Sequence, residues 1–380
     1  MKKQILFLAM ITLAFIFAGT TKSFGQMRPS TLTPTPLTNC TPSPLNPMAG
    51  QLFTYSVENP NSVATGYTWW ATKNPNFIDL TSFLSDTTSM LYVAPGELIS
   101  TGANYGGFQA AGNTMDIEWT ADILAATQYQ GTPDINATPA TPSPTFVVVQ
   151  ADGSCNNNLQ VFELNPLPSF TLDIANIDPA DTANVLAYGT NASQCVDIVR
   201  SAIYSATVLT MDYGTDTLLF EVVAANYVQN WIPTFEAMGG LAGDQTAAIG
   251  WAYTKADALN GNFIDGEQDL TGAAVTGTTA LAAASGVNTS LGTSIFVRIV
   301  IDNNTTESIA QSDFILAVDG VDANGQPDID QTDATCTATL NDREDKATHE
   351  ITPRPDISDT TGDGAINSTP DDSFVTSPRN

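Results

Sequence analysis

Short runs of β-branched and aromatic residues, each closed by proline, glycine or asparagine, recur along this chain and constrain its fold more than any other feature. Branched and aromatic side chains fit a pleated surface, and the closing residues favour turns, so each run predicts a strand. The first series comprises QLFTYSVENP, GYTWWATKNPNFIDL, TMDIEWTADIL, TFVVVQADG and NNLQVFELNP. Within the first run Phe53, Tyr55 and Val57 share one side of the strand, so one of its two faces is expected to be buried.

Two prolines, Pro166 and Pro168, mark the clearest internal boundary of the chain. A second series of strand-like runs follows: FTLDIANID, CVDIVRSAIYSATVLTMDYG, TDTLLFEVVAANYV, AAIGWAYTKA, TSIFVRIVIDN and DFILAVDG. Only the alanine-containing stretches near Ala183 and Ala280 look capable of forming short helices, and neither keeps a helical period. The sequence therefore predicts an all-β protein in two parts.

The first 25 residues have the features of a secretory signal peptide. Lys2 and Lys3 precede an apolar run from Ile5 to Ala18, and small residues precede Gln26. This run is shorter than the roughly 20 residues that a membrane-spanning helix requires, and no later segment is apolar enough to serve as one. We therefore expect residues 1–25 to be removed on export and the rest of the chain to be secreted.

The exported part of the chain divides by composition into four segments. Residues 26–47 form a Thr/Pro-rich leader, in which proline excludes helix and favours an extended chain that serves as a linker or an edge strand. The rest exceeds the size at which a single hydrophobic core usually grows, so we expect one β-sandwich at 48–165 and another at 166–355. Residues 356–380 read as a flexible acidic tail.

The charge of the chain is strongly negative, with 12 basic and 40 acidic residues. Removal of the three signal-peptide lysines would leave a net charge of −31. Such a protein is repelled by nucleic acid and by anionic lipid, whereas divalent cations and cationic partners are attracted to it.

The chain contains four cysteines, Cys40, Cys155, Cys195 and Cys336, and an even number in an oxidising compartment suggests two disulfides. Pairing within the predicted domains gives Cys40–Cys155 and Cys195–Cys336, although sequence alone permits three connectivities. A zinc site is a weak alternative, because the cysteines are widely separated and His349 is the only histidine.

Two acidic segments resemble calcium-binding loops, in which oxygen ligands recur at positions 1, 3, 5, 7, 9 and 12 around a turn glycine. The first has Pro327 in place of that glycine, and the second has Pro370 where the last carboxylate should be. The alternative is that both are solvated acidic segments. The candidate calcium ligands are Asp322, Asn324, Asp328, Asp330 and Asp333 in the first segment, and Asp359, Thr361, Asp363 and Asn367 in the second.

Catalytic groups are scarce in the sequence. His349 lies in the charged segment DREDKATHEI, away from any nucleophile motif, and is expected to be a surface residue. Of the tryptophans, adjacent Trp69 and Trp70 should point to opposite faces of a strand, one into the core and one outward. Trp231, beside Pro233, is expected to be exposed. We therefore expect a protein that is not an enzyme.

The segments YTWWATKNPNF, IEWT, FVVVQADGSCNNNLQVFELNP and FVRIVIDNNTTESIAQSDFILAVDG resemble secreted Bacteroidota surface proteins with immunoglobulin-like or polycystic-kidney-disease-like β-sandwich modules. The resemblance covers most of residues 40–355. It implies an all-β fold of two tandem immunoglobulin-like β-sandwich domains, with an extended N-terminal leader and an acidic C-terminal tail. Four Asp-Thr-x triplets are similar to the O-glycosylation pattern of that group, which would make Thr87, Thr182, Thr217 and Thr360 the acceptors.

Export, β-structure, few catalytic groups and an extended leader together predict an extracellular structural or adhesive protein of a bacterial cell surface or matrix. Its partner would be other copies of the same chain, because an extended segment can add to the sheet edge of a neighbour and so build a fibre. The alternative is a secreted carbohydrate-binding protein whose partner is a surface glycan.

Overall fold

The computed structural model describes residues 26–34, 40–72, 78–79, 84–85, 99–100, 103–104, 109–125, 145–154, 157–205, 208–329 and 345–356. The fold is all-β, as predicted, and it consists of several mainly antiparallel sheets. No helix in these ranges is long and apolar enough to cross a membrane.

The first group of elements begins with a strand in the leader and continues to Glu163. The strands are β1 (Arg28–Pro29), β2 (Leu52–Ser56), β3 (Ala64–Thr72), β4 (Ile78–Asp79), β5 (Leu84–Ser85), β6 (Ile99–Ser100), β7 (Ala103–Asn104), β8 (Gln109–Ala111), β9 (Thr114–Glu118), β10 (Phe146–Gly153) and β11 (Asn157–Glu163), with helix α1 (Ala121–Leu124) between β9 and β10. One sheet has the order β11-β10-β3-β8 and the other the order β2-β9-β6-β7, while β4 pairs with β5.

Aromatic side chains fill the core between these two sheets. The indole nitrogen of Trp119 donates a hydrogen bond to the Tyr55 hydroxyl over 3.0 Å, and the two rings meet edge to face. Trp69 stacks on Phe162 with a ring-centroid distance of 6.4 Å. The buried members of this first core are Ala49, Phe53, Tyr55, Trp69, Ala71, Met115, Ile117, Trp119, Ala121, Ile123, Leu124, Val147, Val149 and Leu164.

The second group of elements follows the prolines at 166 and 168. The strands are β12 (Thr171–Asn176), β13 (Ala192–Cys195), β14 (Ser201–Ser205), β15 (Val208–Asp212), β16 (Thr215–Ala225), β17 (Asn230–Gly239), β18 (Thr246–Ala252), β19 (Gln268–Asp269), β20 (Val275–Thr276), β21 (Leu281–Ala282), β22 (Thr293–Asp302), β23 (Ser312–Asp322) and β24 (Lys346–Thr352). Helix α2 (Lys255–Asn260) follows β18, and a 3-10 turn (Thr289–Leu291) precedes β22.

Two sheets of this second group pack face to face. One has the order β12-β16-β22-β18-β19, and the other has the order β13-β24-β23-β17-β20, with β21 also on β17. All of these pairings are antiparallel except β13 with β24. The strands β14 and β15 pair only with each other among the described residues and form a separate hairpin.

The side chains between these sheets form the larger core. Its buried members are Met27, Phe170, Leu172, Ile174, Val196, Leu218, Phe220, Val222, Ala224, Tyr227, Trp231, Phe235, Ala247, Ile249, Trp251, Leu270, Val275, Leu281, Ile295, Val297, Ile299, Ile301, Phe314, Leu316, Val318, Ala347 and Ile351. Apart from Met27, the two main cores lie on either side of residues 165–168. The domain bounds drawn from the sequence stay a prediction.

Several expectations about individual side chains are wrong. Trp69 and Trp70 do point to opposite faces of β3, but both are buried, Trp70 in a small cluster with Phe146 and Val148 on the other side of the sheet. Trp231 is fully buried, because the alternation of β17 turns it toward the second core.

The expected short helices are also misplaced. The chain near Ala183 forms a turn, and Leu281–Ala282 is a strand. Helix α2 forms instead where Thr254 accepts a hydrogen bond from the Asp257 amide at its start, and where Gly261, with a φ of 75°, ends it in the left-handed conformation.

Candidate interaction surfaces

The leader strand β1 is an integral part of the second sandwich. Met27 is fully buried, and its amide donates to the Ala282 carbonyl over 3.0 Å while its own carbonyl accepts from the Ala284 amide over 2.9 Å. Farther along, the Ser30 amide donates to the Gly292 carbonyl over 3.0 Å. The leader therefore occupies a slot between β21 of one sheet and β22 of the other.

A buried carboxylate lies beside this slot. Glu221 on β16 is 2 % exposed, and one of its oxygens accepts hydrogen bonds from the hydroxyls of Ser30, over 3.1 Å, and Ser294. Its other oxygen, Oε2, is buried and has no hydrogen-bond partner. The leader thus contributes one of the donors that offset the burial of this group.

The hairpin of β14 and β15 carries an unusual number of exposed apolar side chains. Ile203, Tyr204 and Val208 are 60 %, 56 % and 60 % exposed, and Ile198 and Val199 just before the hairpin are 72 % and 40 % exposed. Clustered exposed apolar residues mark sites of protein contact more often than single ones do. The register pairs Tyr204 with Leu209 and Ser205 with Val208, so both faces of the hairpin carry apolar groups. We name residues 198–205 and 208–212 the apolar hairpin.

The base of the apolar hairpin is held by a polar network. The Asp197 carboxylate accepts hydrogen bonds from the amides of Ile198 and Thr215 and forms an ion pair with Arg200 at 2.7 Å. Burial alone would raise the pKa of Asp197, but these hydrogen bonds outweigh it, so its pKa lies below the ordinary value. The Asp197 amide in turn donates to the buried carboxylate of Asp216.

A second layer of contacts fixes this network to the sandwich. Asn303 donates to Asp216 over 2.9 Å, and burial raises the pKa of the Asp216 carboxyl. The guanidinium of Arg354 donates to the carbonyls of Asp197 and Tyr213 and lies over the Tyr213 ring at 4.9 Å. The apolar hairpin therefore projects from a fixed base.

A groove of about 520 Å³ lies at the edge of the first group of sheets. Amide side chains line it, among them Asn59, Asn61, Asn158 and Gln160, together with the ring of Tyr67. Amides and aromatic rings can hydrogen-bond and stack on an uncharged polar ligand such as a sugar.

Two of the described calcium candidates, Asp322 and Asp328, accept hydrogen bonds from backbone amides. Asp322 accepts hydrogen bonds from the amides of Asn324 and Gln326 through one oxygen and from that of Val228 through the other. Asp328 accepts a hydrogen bond from the Gly320 amide over 2.7 Å. Among the residues with a described position, no group of three or more His, Cys, Asp or Glu side chains could hold a metal ion.

The other calcium candidates, Asp330, Asp333, Asp359, Thr361, Asp363 and Asn367, lie outside the described residues, so calcium binding there stays a prediction.

The cysteines are described only in part. Cys195 is an exposed free thiol, so its expected bond to Cys336 is not formed in this structure. Cys40 is disulfide-bonded, and its partner lies outside the described residues, as do Cys155 and Cys336. The predicted pairing of Cys40 with Cys155 remains a prediction.

Two of the four glycosylation candidates are described, and both Thr182 and Thr217 are exposed. The Asp216 that precedes Thr217 is buried in the hairpin-base network, which gives that triplet a structural role of its own. Thr87 and Thr360 lie outside the described residues. Glycosylation stays a prediction.

His349 is fully buried in β24, which corrects its expected surface position. Its ring lies edge to face with Phe220 at a centroid distance of 6.3 Å, and neither ring nitrogen has a hydrogen-bond partner. Burial lowers its pKa to about 4. The alternation of β24, which also buries Ala347 and Ile351, is the sequence signal that could have revealed this position.

Comparison with known proteins gives weak similarities to solved structures. The N-terminal domain of PorA aligns over 47 % of this chain and 96 % of its own, with 8 % identity and a TM-score of 0.22. CfaE, the adhesive subunit of the CFA/I fimbria of enterotoxigenic Escherichia coli, aligns over 87 % and 97 %, with 10 % identity and a TM-score of 0.27. The major pilin SpaD of Corynebacterium diphtheriae aligns over 82 % and 66 %, with 9 % identity and a TM-score of 0.21.

No protein-family model matches the chain, and no curated protein matches it with significance. The structural similarities are too weak to assign a function.

Proposed function

We propose that the protein is an exported structural or adhesive protein of a bacterial cell surface or matrix, which acts by protein–protein contact, including contact between its own copies. The observation that carries this proposal is the apolar hairpin. Its large apolar side chains are exposed on a chain of net charge −28, although most other large apolar side chains described are buried.

The physical cost of such an exposed cluster favours an interaction role. Removing apolar surface from water contributes about 25 cal/mol per Å² of favourable free energy. A partner that covers the hairpin would therefore be held in place by this burial. Each strand of the hairpin also has one edge that pairs with no other strand within the described residues. Such an edge can accept a further strand from a partner.

The test compares two triple variants of residues 26–380. The first, Ile203→Ser, Tyr204→Ser and Val208→Ser, removes the apolar groups of the hairpin. The second, Leu52→Ser, Met238→Ser and Leu259→Ser, removes exposed apolar residues elsewhere and serves as the matched control.

We expect sedimentation and negative-stain electron microscopy to show assemblies of the wild-type protein and of the control, and dispersed particles of the hairpin variant. Equal assembly of both variants would exclude the hairpin as the contact. A dispersed wild-type protein at all concentrations would exclude self-assembly by this chain alone.

Carbohydrate binding is the second candidate, and the groove beside Tyr67 favours it because amides line it. If the groove binds a glycan, a glycan array should retain the protein, and Asn158→Ala with Gln160→Ala should abolish retention. Asn191→Ala, which changes an exposed amide outside the groove, is the control. Retention that survives the groove variant would place the binding elsewhere.

A further inference from the structure

We propose that the leader strand is exchanged between copies, so that residues 26–34 of one chain occupy the slot between β21 and β22 of the next chain. This inference rests on the proposed self-assembly and gives it a mechanism. The occupant is known from the structure itself, since the same segment fills the slot within one chain. A second copy presents an identical segment and therefore an identical fit.

The slot is built almost entirely by residues distant in sequence from its occupant. Arg28 pairs with Ser294, and Met27 lies opposite Ala283. The other strands of both sheets pair with one another without β1. The segment therefore completes a site whose walls come from elsewhere, which is the arrangement that strand exchange requires.

An unfilled slot would leave polar groups without partners. The carbonyls of Ala282 and Gly292 and the amide of Ala284 bond to the leader, and Ser30 supplies one donor to buried Glu221. Loss of the leader would leave these groups without those bonds and open the space that the Met27 side chain fills. The slot therefore has to be occupied, by the leader of its own chain or by that of another.

A short connection joins the docked segment to the rest of the chain. Residues 35–39 lie between that segment, which ends at residue 34, and the disulfide-bonded Cys40. Five residues span at most about 17 Å. A chain that donates its leader must therefore lie directly beside the chain that receives it.

Charge also favours the exchange. Arg28 is the only charged residue between Gln26 and Asn39, whereas the whole chain has a net charge of −28. The leader is thus a weakly cationic segment that an acidic neighbour attracts, while the rest of the two chains repel each other.

Cysteine cross-linking between two different chains tests the exchange directly. In a Cys195→Ser background, which removes the free thiol, one chain carries Arg28→Cys and the other carries Ser294→Cys. These residues are register partners, and opposed residues of an antiparallel pair lie within the Cα separation that a disulfide accepts. A chain with Leu52→Cys, exposed and outside the slot, replaces the Ser294→Cys chain in the control.

If strands exchange, oxidation of the mixed chains should produce a disulfide-linked peptide pair that joins position 28 of one chain to position 294 of the other. Mass spectrometry detects this pair. Its yield in the control should be at least tenfold lower. A chain with both substitutions should lock its own leader when oxidised, and it should assemble only after reduction. Met27→Cys with Ala283→Cys is the second pair, for use if Ser294→Cys prevents folding.

The outcomes separate this inference from the proposed function. The exchange is overturned if assemblies form without any cross-chain link, or if the locked chain assembles equally well. Self-assembly, the proposed function, is then still supported. Cross-chain links in a protein that forms only dimers support the exchange and argue against a fibre. Dispersed monomers with links only inside one chain overturn both.

Discussion

At the scale of single residues, the burial of His349 gives the protein a defined response to acid. An imidazole with no hydrogen-bond partner in an apolar core is stable only when neutral, and burial lowers its pKa to about 4. In the unfolded chain its pKa returns to about 6.5. The unfolded state therefore binds more protons than the folded state between these two values, and the free energy of unfolding falls as the pH drops through that window.

We predict that this one residue lowers the free energy of unfolding by about 3 kcal/mol between pH 6.5 and pH 4. The effect is absent above pH 6.5 and complete below pH 4. Urea unfolding of the wild-type protein and of His349→Phe across this range measures it as the change in their difference. Because the chain has only one histidine, the NMR titration of its ring reports the folded pKa without assignment. A ring that titrates near 6.5 would contradict the prediction.

The exposure predicted from sequence for His349 and Trp231 is wrong, and the reason is physical. His349 follows a densely charged segment, and Trp231 lies beside a proline, and local composition suggested exposure for both. Their burial is decided by strand alternation, which turns Trp231 and Phe235 to the same side of β17. Alternation is visible in sequence, but which face meets the opposite sheet depends on contacts between distant strands.

At the scale of elements, the leader strand makes a measurable contribution to stability whichever chain supplies it. We predict that Met27→Ala lowers the free energy of unfolding by about 2–5 kcal/mol, because it removes a fully buried side chain from the second core. Arg28→Ala, next to it and exposed, should change it by less than about 0.5 kcal/mol. Urea unfolding measures the free energy of unfolding of both variants. Equal and small changes in that free energy would show that the leader is not docked.

The base of the apolar hairpin gives a second prediction for an element. Asp197→Ala removes the acceptor of the Ile198 and Thr215 amides and the partner of Arg200, so we expect a loss of about 1–3 kcal/mol in the free energy of unfolding. Hydrogen exchange should speed up most in β14 and β15. Asp181→Ala, which removes an exposed carboxylate with a bond to one amide, is the control. Unchanged exchange in the hairpin would show that another contact fixes its base.

The long strands could be predicted from the sequence, but the pairing of the leader and the exposure of the hairpin could not. The runs that became β16, β22 and β23 were evident, since each is long and rich in branched residues. The prolines of the leader predicted an extended chain, which left a linker and an edge strand as alternatives. Its partner β22 could not be predicted, because pairing between segments so far apart is set by tertiary packing and not by local pattern. The exposure of the apolar hairpin could not be predicted from sequence, because an apolar run has the same pattern whether or not another sheet covers it.

At the scale of the whole molecule, the negative charge should control assembly. Copies of residues 26–380, each with a net charge of −31, repel each other, and this repulsion acts over a screening length of about 30 Å at 0.01 M salt and about 10 Å at 0.1 M. We therefore predict that the assembled fraction rises by severalfold between these salt concentrations, as measured by analytical ultracentrifugation. The apolar contacts of the hairpin gain little from low salt. A fall in assembly with added salt would mean that attraction at charged groups such as Arg28 outweighs the general repulsion.

Calcium separates simple screening from specific binding at the acidic segments. If the carboxylates of Asp330, Asp333, Asp359 and Asp363 bind calcium as the sequence predicts, millimolar calcium should promote assembly more than sodium or magnesium at equal ionic strength. Binding would neutralise charge at fixed points and not merely screen it. Excess chelator should reverse the effect. If calcium and magnesium at matched ionic strength promote assembly equally, these segments are solvated acidic segments without a specific calcium site. Screening by salt alone would then account for the effect on assembly.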